Sequence, residues 1–256
     1  QLMIAEQLMV LSSIQLVTID KITRLPVSFG AGCLVKYKTR TFLISVAHVT
    51  ESSLSDDNLS ICIQTNLPSD KEGVILKPIG GFCHFDLFTI SKGMDLQEFE
   101  DIFKNPMERL DISFAEVDAN IMVLQTELDF GAFKIEHGGK AILDLSDATS
   151  PNKEYRYGFF GNVRQNLNGL QLRIQPTLKH NLEFHKTNKY FHMFLAPENI
   201  TDPQDYQGCS GAPILANDGR IVGLACIVRK NTRIIYGFSI QECIKLLDLA
   251  IATNFI

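Results

Sequence analysis

A serine lies between glycines in the segment Gly208-Cys209-Ser210-Gly211-Ala212-Pro213, shortly before the apolar strand expected at 220–225. Glycine accepts strained backbone angles and leaves its amide unshielded, so such a turn can present a hydroxyl and bare N–H groups at a strand edge. A serine hydroxyl stays protonated at neutral pH unless a neighbouring base removes its proton. The segment therefore predicts a turn that carries a nucleophilic serine. The base that removes its proton must come from elsewhere in the chain.

His48 is the best candidate for that base, because it follows an apolar strand at a strand-to-loop junction and histidine exchanges protons near neutral pH. An acid is then needed to hold the imidazole in one tautomer. Asp111 heads an apolar strand where its carboxylate could be buried, and Asp86 heads another apolar run, so Asp86 stays open as an alternative. The order His48, Asp111, Ser210 is one of the known chain orders of a catalytic triad.

Two other kinds of site are not favoured by the sequence. Cys209 could be taken for a cysteine nucleophile, but the glycine expected after the nucleophile follows Ser210. The histidines show no ligand spacing such as HExxH, so neither a metal nor an organic cofactor is expected. An esterase of the α/β-hydrolase type needs a histidine after the nucleophile, and none follows Ser210.

The elements that must position these residues are mostly strands. About a dozen short apolar or alternating segments run from residue 13 to residue 240, separated by turn signals and without a strand–helix alternation. Apolar residues at 244, 247 and 251 then mark one terminal amphipathic helix. The pattern predicts an all-β, antiparallel fold with a C-terminal helix.

Three segments resemble the motifs of trypsin/chymotrypsin-like serine peptidases: Ser45-Val46-Ala47-His48, Leu110-Asp111-Ile112-Ser113-Phe114 and Gly208-Cys209-Ser210-Gly211-Ala212-Pro213. The segments 217–223 and 236–240 resemble the bacterial HtrA-type protease domain in particular, and no PDZ-like module is expected after them. The resemblance implies a single peptidase domain over 1–256 with two six-stranded antiparallel Greek-key barrels. It places the first barrel at about 13–120, the second at about 130–240 and the terminal helix at about 241–253.

The resemblance also implies a role for each residue. His48 would be the general base and then the general acid, Asp111 its orienting partner, and Ser210 the nucleophile. The backbone N–H groups of Gly208 and Ser210 would form the oxyanion hole. Residues of the substrate pocket would be Gln204 at its base and Leu224, Ala225 and Cys226 in its wall. Without a carboxylate at the base, we expect an uncharged or apolar preference, although Asp202 and Asp205 lie close in sequence.

Two departures from the secreted members of that family concern activation and redox environment. Cys33 stands where one half of a disulfide would be, but Val49 occupies the partner position, so this bridge is not expected. Cys209 precedes the serine where zymogens carry an aspartate, so activation by a new N-terminus is not expected either.

Composition bounds the remaining possibilities. The 256 residues carry a net charge of −5 without a basic run, which argues against nucleic acid as a partner. The apolar stretches are too short to span a bilayer, and the first residues lack the pattern of a secretory leader. Six cysteines without paired spacing favour free thiols in a reducing compartment, so we expect a cytoplasmic location.

The sequence thus predicts a serine endopeptidase that acts on polypeptides through an acyl-enzyme on Ser210. The alternative is a protease-like module that has lost turnover and serves in binding or regulation. The sequence makes no prediction of the oligomeric state.

Overall fold

The computed structural model describes residues 4–65, 75–87, 97–98, 100–101, 108–168 and 171–255. The elements of the first half are α1 (Ala5–Ser12), β1 (Ile14–Asp20), β2 (Pro26–Tyr37), β3 (Arg40–Ser45), α2 (Ala47–Thr50), α3 (Ser52–Ser55), β4 (Leu59–Thr65), β5 (Ile75–Pro78), β6 (Cys83–Leu87) and β7 (Glu108–Val117). Short strands connect the halves: β8 (Leu124–Gln125), β9 (Leu128–Asp129), β10 (Lys134–Ile135), β11 (Gly138–Gly139) and β12 (Ile142–Asp144).

The second half contains β13 (Arg156–Asn168), β14 (Gln171–Asn188), β15 (Phe191–Leu195), β16 (Pro213–Ala216), β17 (Ile221–Val228) and β18 (Ile234–Ser239). The chain ends with helix α4 (Ile240–Ala252), and short 3-10 helices lie at Leu145–Asp147 and Pro203–Asp205. The prediction of a mostly β fold with a C-terminal helix is confirmed, and helices α1, α2 and α3 are additional to it.

The two halves differ in how their sheets close. The second half forms a closed barrel in the order β13-β14-β15-β18-β17-β16. The first half forms a sheet in the order β5-β4-β1-β2-β3-β7-β6, with β12 added parallel to β2. Over the residues described, this sheet is not closed by strand pairing, so the expected first barrel and the Greek-key details are not confirmed.

Each half has a core of its own, and a third cluster joins them. The sheet of the first half buries aliphatic side chains such as Leu16, Leu43 and Ile63, and the barrel buries aromatic ones such as Phe159 and Phe194. Strand residues alternate between faces, so alternate apolar positions reach these cores.

Helix α4 joins the halves. It buries Ile240, Cys243 and Leu247, which share one face because residues three or four apart are neighbours on a helix. These side chains pack in one cluster with Phe42 of the first half and Phe238 of the second. The helix therefore completes a core to which both halves contribute.

The polar surface of α4 is also fixed to the first half. Asp248 accepts hydrogen bonds from the Tyr37 hydroxyl at 2.9 Å and from Lys38 at 2.7 Å. All six cysteines are buried and free of disulfide bonds. No helix among the described residues is long and apolar enough to span a membrane.

Candidate active site

The serine turn has a backbone that requires glycine at two positions. Gly208 and Gly211 have φ values of +101° and +91°, in the left-handed region that other residues rarely adopt. A Cβ on Gly211 would lie 2.0 Å from the Ala31 carbonyl oxygen and 2.4 Å from the Ser45 hydroxyl. The turn can therefore pack closely against the first half only because this residue has no side chain.

Hydrogen bonds fix the turn on both sides. Ala31 of β2 donates its N–H to the Ser210 carbonyl at 2.7 Å, and the Gly211 N–H donates to the Ala225 carbonyl of β17 at 2.7 Å. The Cys209 N–H donates to the Tyr206 carbonyl at 2.9 Å. Within the part of the chain that the structure describes, the N–H groups of Gly208 and Ser210 have no hydrogen-bond acceptor. These are the two amides that the sequence singled out.

His48 and Asp111 meet at one end of the β3–β7 strand pair. Ser45 lies opposite Ser113 in the antiparallel register, so His48 after β3 and Asp111 before Ser113 project beyond the same end. The His48 Nδ1 lies 2.9 Å and 3.0 Å from the two Asp111 carboxylate oxygens, and the His48 backbone N–H donates to Oδ1 at 3.1 Å. Asp111 is thus positioned to hold the ring in one orientation.

The charges of this pair support each other. Burial alone would raise the pKa of Asp111, but the hydrogen bonds and charge of His48 hold it below its ordinary value. Burial alone would lower the pKa of His48, because it disfavours the charged imidazolium. Asp111 and Glu51 outweigh burial and raise this pKa above its ordinary value of 6.5. The ionised carboxylate therefore favours a proton on the imidazole.

Asp86, the alternative acid, lies elsewhere. It faces Arg109 across the β6–β7 pair and accepts hydrogen bonds from that guanidinium at 2.8 Å and 3.1 Å. Of the two acids that head apolar runs, the structure brings only Asp111 against the imidazole.

Cys226 connects the serine turn to this pair. The Ser210 hydroxyl donates to the Cys226 carbonyl at 3.0 Å, and the Cys226 thiol donates to the Leu224 carbonyl at 3.3 Å. The same thiol also helps to lower the pKa of Asp111. A direct hydrogen bond between Ser210 and His48 is absent from the described contacts. The sequence had placed Cys226 only in a pocket wall; nothing in its local pattern indicated a contact with both Ser210 and Asp111.

A cavity of about 220 Å³ opens beside Ser210 and contains no charged lining residue among those described. Its walls include Phe159, Tyr206, Ala225, Ile227, Val228 and Ile235. Cys226 also lines it, so two of the four predicted pocket residues reach the cavity.

The other two predicted pocket residues point elsewhere. Leu224 has 0% of its surface exposed and packs in the joint core, since successive strand residues face opposite sides. Gln204 is exposed on the 3-10 helix before the turn. Phe159 and Ile235 were missed because they come from distant strands and look like ordinary core residues in sequence.

The loop before the turn is held by Arg164, which sequence reasoning also missed. Arg164 lies at a bulge in β13 with φ +51°, and its guanidinium donates to Asp205 at 2.7 Å and to Asp202 at 3.0 Å. Neither acid lines the cavity beside Ser210. The two carboxylates that could have changed the charge of this pocket are therefore paired outside it.

This arrangement can be compared with known proteins. A scan against protein-family models and a search of curated sequences found no match. The fold is similar to that of a serine endoprotease from Yersinia pestis. The similarity to that crystal structure has a TM-score of 0.52 at 12% identity, and it covers 99% of this chain and 69% of the other. At this identity the comparison establishes a shared fold alone.

Proposed function

We propose that this chain is a serine endopeptidase that hydrolyses peptide bonds through Ser210, His48 and Asp111. The observation that carries the proposal is the imidazole of His48 held by the Asp111 carboxylate, together with a serine turn whose Gly208 and Ser210 N–H groups have no acceptor among the described residues. The similar fold of a serine endoprotease supports it. We further propose that the sheet of the first half corresponds to the first barrel of the trypsin-like peptidases.

In the proposed mechanism, His48 Nε2 takes the proton of the Ser210 hydroxyl as its oxygen attacks the substrate carbonyl. The negative charge that develops on the substrate's carbonyl oxygen is stabilised by the N–H groups of Gly208 and Ser210. A donor of this kind is worth about 3 to 4 kcal/mol. His48 then gives the proton to the leaving amine, and a water molecule releases the acyl group by the same steps in reverse. Asp111 stabilises the imidazolium in both halves of the reaction.

The serine side chain must turn before it can react. Its hydroxyl donates to the Cys226 carbonyl, so the proposed proton transfer requires a rotation about χ1 toward the imidazole. Rotamer changes of this size take picoseconds to nanoseconds and do not limit an enzyme's turnover.

Two features support a polypeptide substrate with an uncharged side chain at the cleaved bond. The cavity beside Ser210 has an apolar wall, and an apolar residue placed there gains about 25 cal/mol per Å² of buried surface. Strand pairing between β16 and β17 ends at Leu224, so over the described residues the edge at 226–228 has no strand partner on that side. An extended peptide can pair with such an edge.

One observation favours a second candidate, a protease-like binding module without turnover. The resting hydrogen bond of Ser210 goes to Cys226 rather than to His48. A fluorophosphonate probe separates the two candidates, because it bonds only to a serine oxygen that a base activates. Labelling of the native chain supports the peptidase, and absence of labelling across pH 6 to 9 supports the module.

The proposed mechanism predicts an acid limb in the pH profile. His48 must be neutral to act as a base, so kcat/KM should rise with pH through its pKa, with half-maximal activity above pH 6.5. Because Glu51 contributes to the raised pKa, Glu51→Gln should move this limb to lower pH. The matched variant Glu116→Gln removes the same charge at a site that does not affect His48, and its limb should not move. A half-point below pH 6.5 in the native enzyme would contradict the proposed electrostatics.

Gly208→Ala should lower kcat by about 10² to 10³, the usual effect of removing one oxyanion donor. Its Cβ would lie 2.1 Å from the Gln165 Nε2 and 2.2 Å from the Asn162 carbonyl oxygen, so the amide must shift. Gly219→Ala is the control, because Gly219 has a similar φ of +90° but its nearest neighbour would be 3.2 Å away. We expect Gly219→Ala to lose some thermal stability and to keep its kcat. Equal kcat values for the two folded variants would exclude a role for the Gly208 amide.

A further inference from the structure

A second cavity, of about 140 Å³, lies on the other side of the serine turn. Gly208 and Ala31 line it, whereas Ser210 and Cys226 line the apolar cavity described above. The two spaces share no lining residue among those described, so the turn stands between them.

This position relates the second cavity to the path of a substrate. If the residue that precedes the cleaved bond fills the apolar cavity beside Ser210, the residues that follow the bond must leave past the opposite side of the turn. Gly208, with its unpaired N–H, and Ala31, which bonds to the Ser210 carbonyl, form that side. The residues that follow the cleaved bond would therefore meet the second cavity.

The charge of the second cavity is one-sided. Lys140 is its one charged residue among those described, and the rest of its polar lining consists of neutral side chains. The Lys140 ammonium donates to the Val10 carbonyl at 2.8 Å and lies 5.5 Å from the centre of the Phe160 ring. No acidic side chain of the described part pairs with it. Burial lowers the pKa of Lys140 to about 7, as expected for a cation that lacks a counter-charge.

Among the neighbouring amides, Gln15 adds an unused donor and Gln125 an unused acceptor, its Oε1. The Asn162 side chain donates to the Gln15 Oε1 at 2.9 Å, which turns the Gln15 amide nitrogen away from that partner. This nitrogen is buried and has no acceptor among the described residues. A lysine ammonium has three donors, of which the Val10 carbonyl uses one. An added carboxylate would give a partner to the desolvated cation and so offset the cost of burying it.

We propose that this cavity is a subsite for an acidic residue on the leaving side of the cleaved bond, with Lys140 as its specificity-determining cation. The inference rests on the proposed peptidase function and adds a substrate class to it. The enzyme would cut between an uncharged residue, held in the apolar cavity, and a segment that carries Asp or Glu.

The test compares peptides that differ at only one of the first three positions after the cleaved bond. In each set that position carries Glu, Gln or Lys, and the rest of the peptide stays the same. We expect the native enzyme to prefer Glu over Gln by about tenfold or more in kcat/KM, which corresponds to about 1.4 kcal/mol. Lys140→Met should remove this preference. Lys179→Met is the control, because Lys179 is also partly buried against an aromatic ring, Tyr206, but does not line the cavity. A preference that survives in Lys140→Met, or the lack of one in the native enzyme, overturns the inference.

Two further measurements keep this result separate from the peptidase proposal. A substrate whose leaving group is aminomethylcoumarin has no leaving-side residues, so the native enzyme and Lys140→Met should hydrolyse it equally. If no substrate is cleaved, the peptidase proposal fails. Calorimetric binding of the Glu peptide to the native chain and to Lys140→Met then decides the cavity: binding that depends on Lys140 supports the acidic subsite, and binding that does not, or none, overturns it.

Discussion

Ser210→Ala is expected to abolish covalent labelling by a fluorophosphonate and to lower the kcat of peptide hydrolysis by about 10⁴ to 10⁶. The variant removes the only oxygen at this turn that can form the acyl-enzyme, while the backbone amides and the apolar cavity remain. Among the described residues the hydroxyl makes one hydrogen bond, to the Cys226 carbonyl, so its loss should change the free energy of unfolding by only about 1 kcal/mol.

Cys209→Ala provides the matched control for Ser210→Ala. Cys209 is buried next to the nucleophile, and burial raises the pKa of its thiol to about 12, so a reactive thiolate is disfavoured. We expect this variant to lose some stability and to keep its labelling and turnover. Labelling that persists in Ser210→Ala but disappears in Cys209→Ala would show that Cys209, and not Ser210, is the nucleophile. Thermal unfolding of both variants would show that each is folded.

Asp111→Asn is expected to lower kcat by about 10⁴ with little change in KM. The carboxylate receives the His48 Nδ1–H at 2.9 Å. An amide nitrogen in its place would itself donate, which favours the tautomer with its proton on Nε2, and that tautomer cannot take a proton from Ser210. Single-turnover kinetics on a chromogenic ester would measure the loss in the acylation step.

Asp86→Asn is the control for the loss of an acid in the same half of the molecule. Asp86 pairs with Arg109 near the surface, and an exposed ion pair is worth about 1 kcal/mol or less. This variant should therefore keep its kcat and lose little stability. A large loss of kcat in Asp86→Asn, with Asp111→Asn remaining active, would reverse the assignment of the acid.

The sequence was sufficient to find the residues that require an unusual local environment. The turn at Ser210 needs glycine at 208 and 211 because of its backbone angles, and such a requirement is visible in a single chain. The choice between Asp111 and Asp86 was different, because both head apolar runs. Only the strand register, which places Asp86 opposite Arg109, separates them, and register depends on contacts far apart in sequence.

The pocket shows the same limit. Ala225 and Cys226 line the cavity beside the serine, but Leu224 faces the core, because a strand turns neighbouring side chains to opposite sides. Phe159 and Ile235 reach the pocket through the closure of the barrel, and Arg164 reaches its acids through a bulge. Closure and bulges arise from long-range pairing, so their products carry no local signal. For the same reason, the sequence could not establish whether the first-half sheet closes.

Helix α4 determines when, during synthesis, the core shared by the two halves can form. His48 and Asp111 belong to the first half, Ser210 to the second, and the cluster that joins the halves lacks Ile240, Cys243 and Leu247 until the ribosome has passed them. Until then a nascent chain leaves apolar surface on both halves uncovered. The core shared by the two halves therefore forms only after helix α4 has been synthesised.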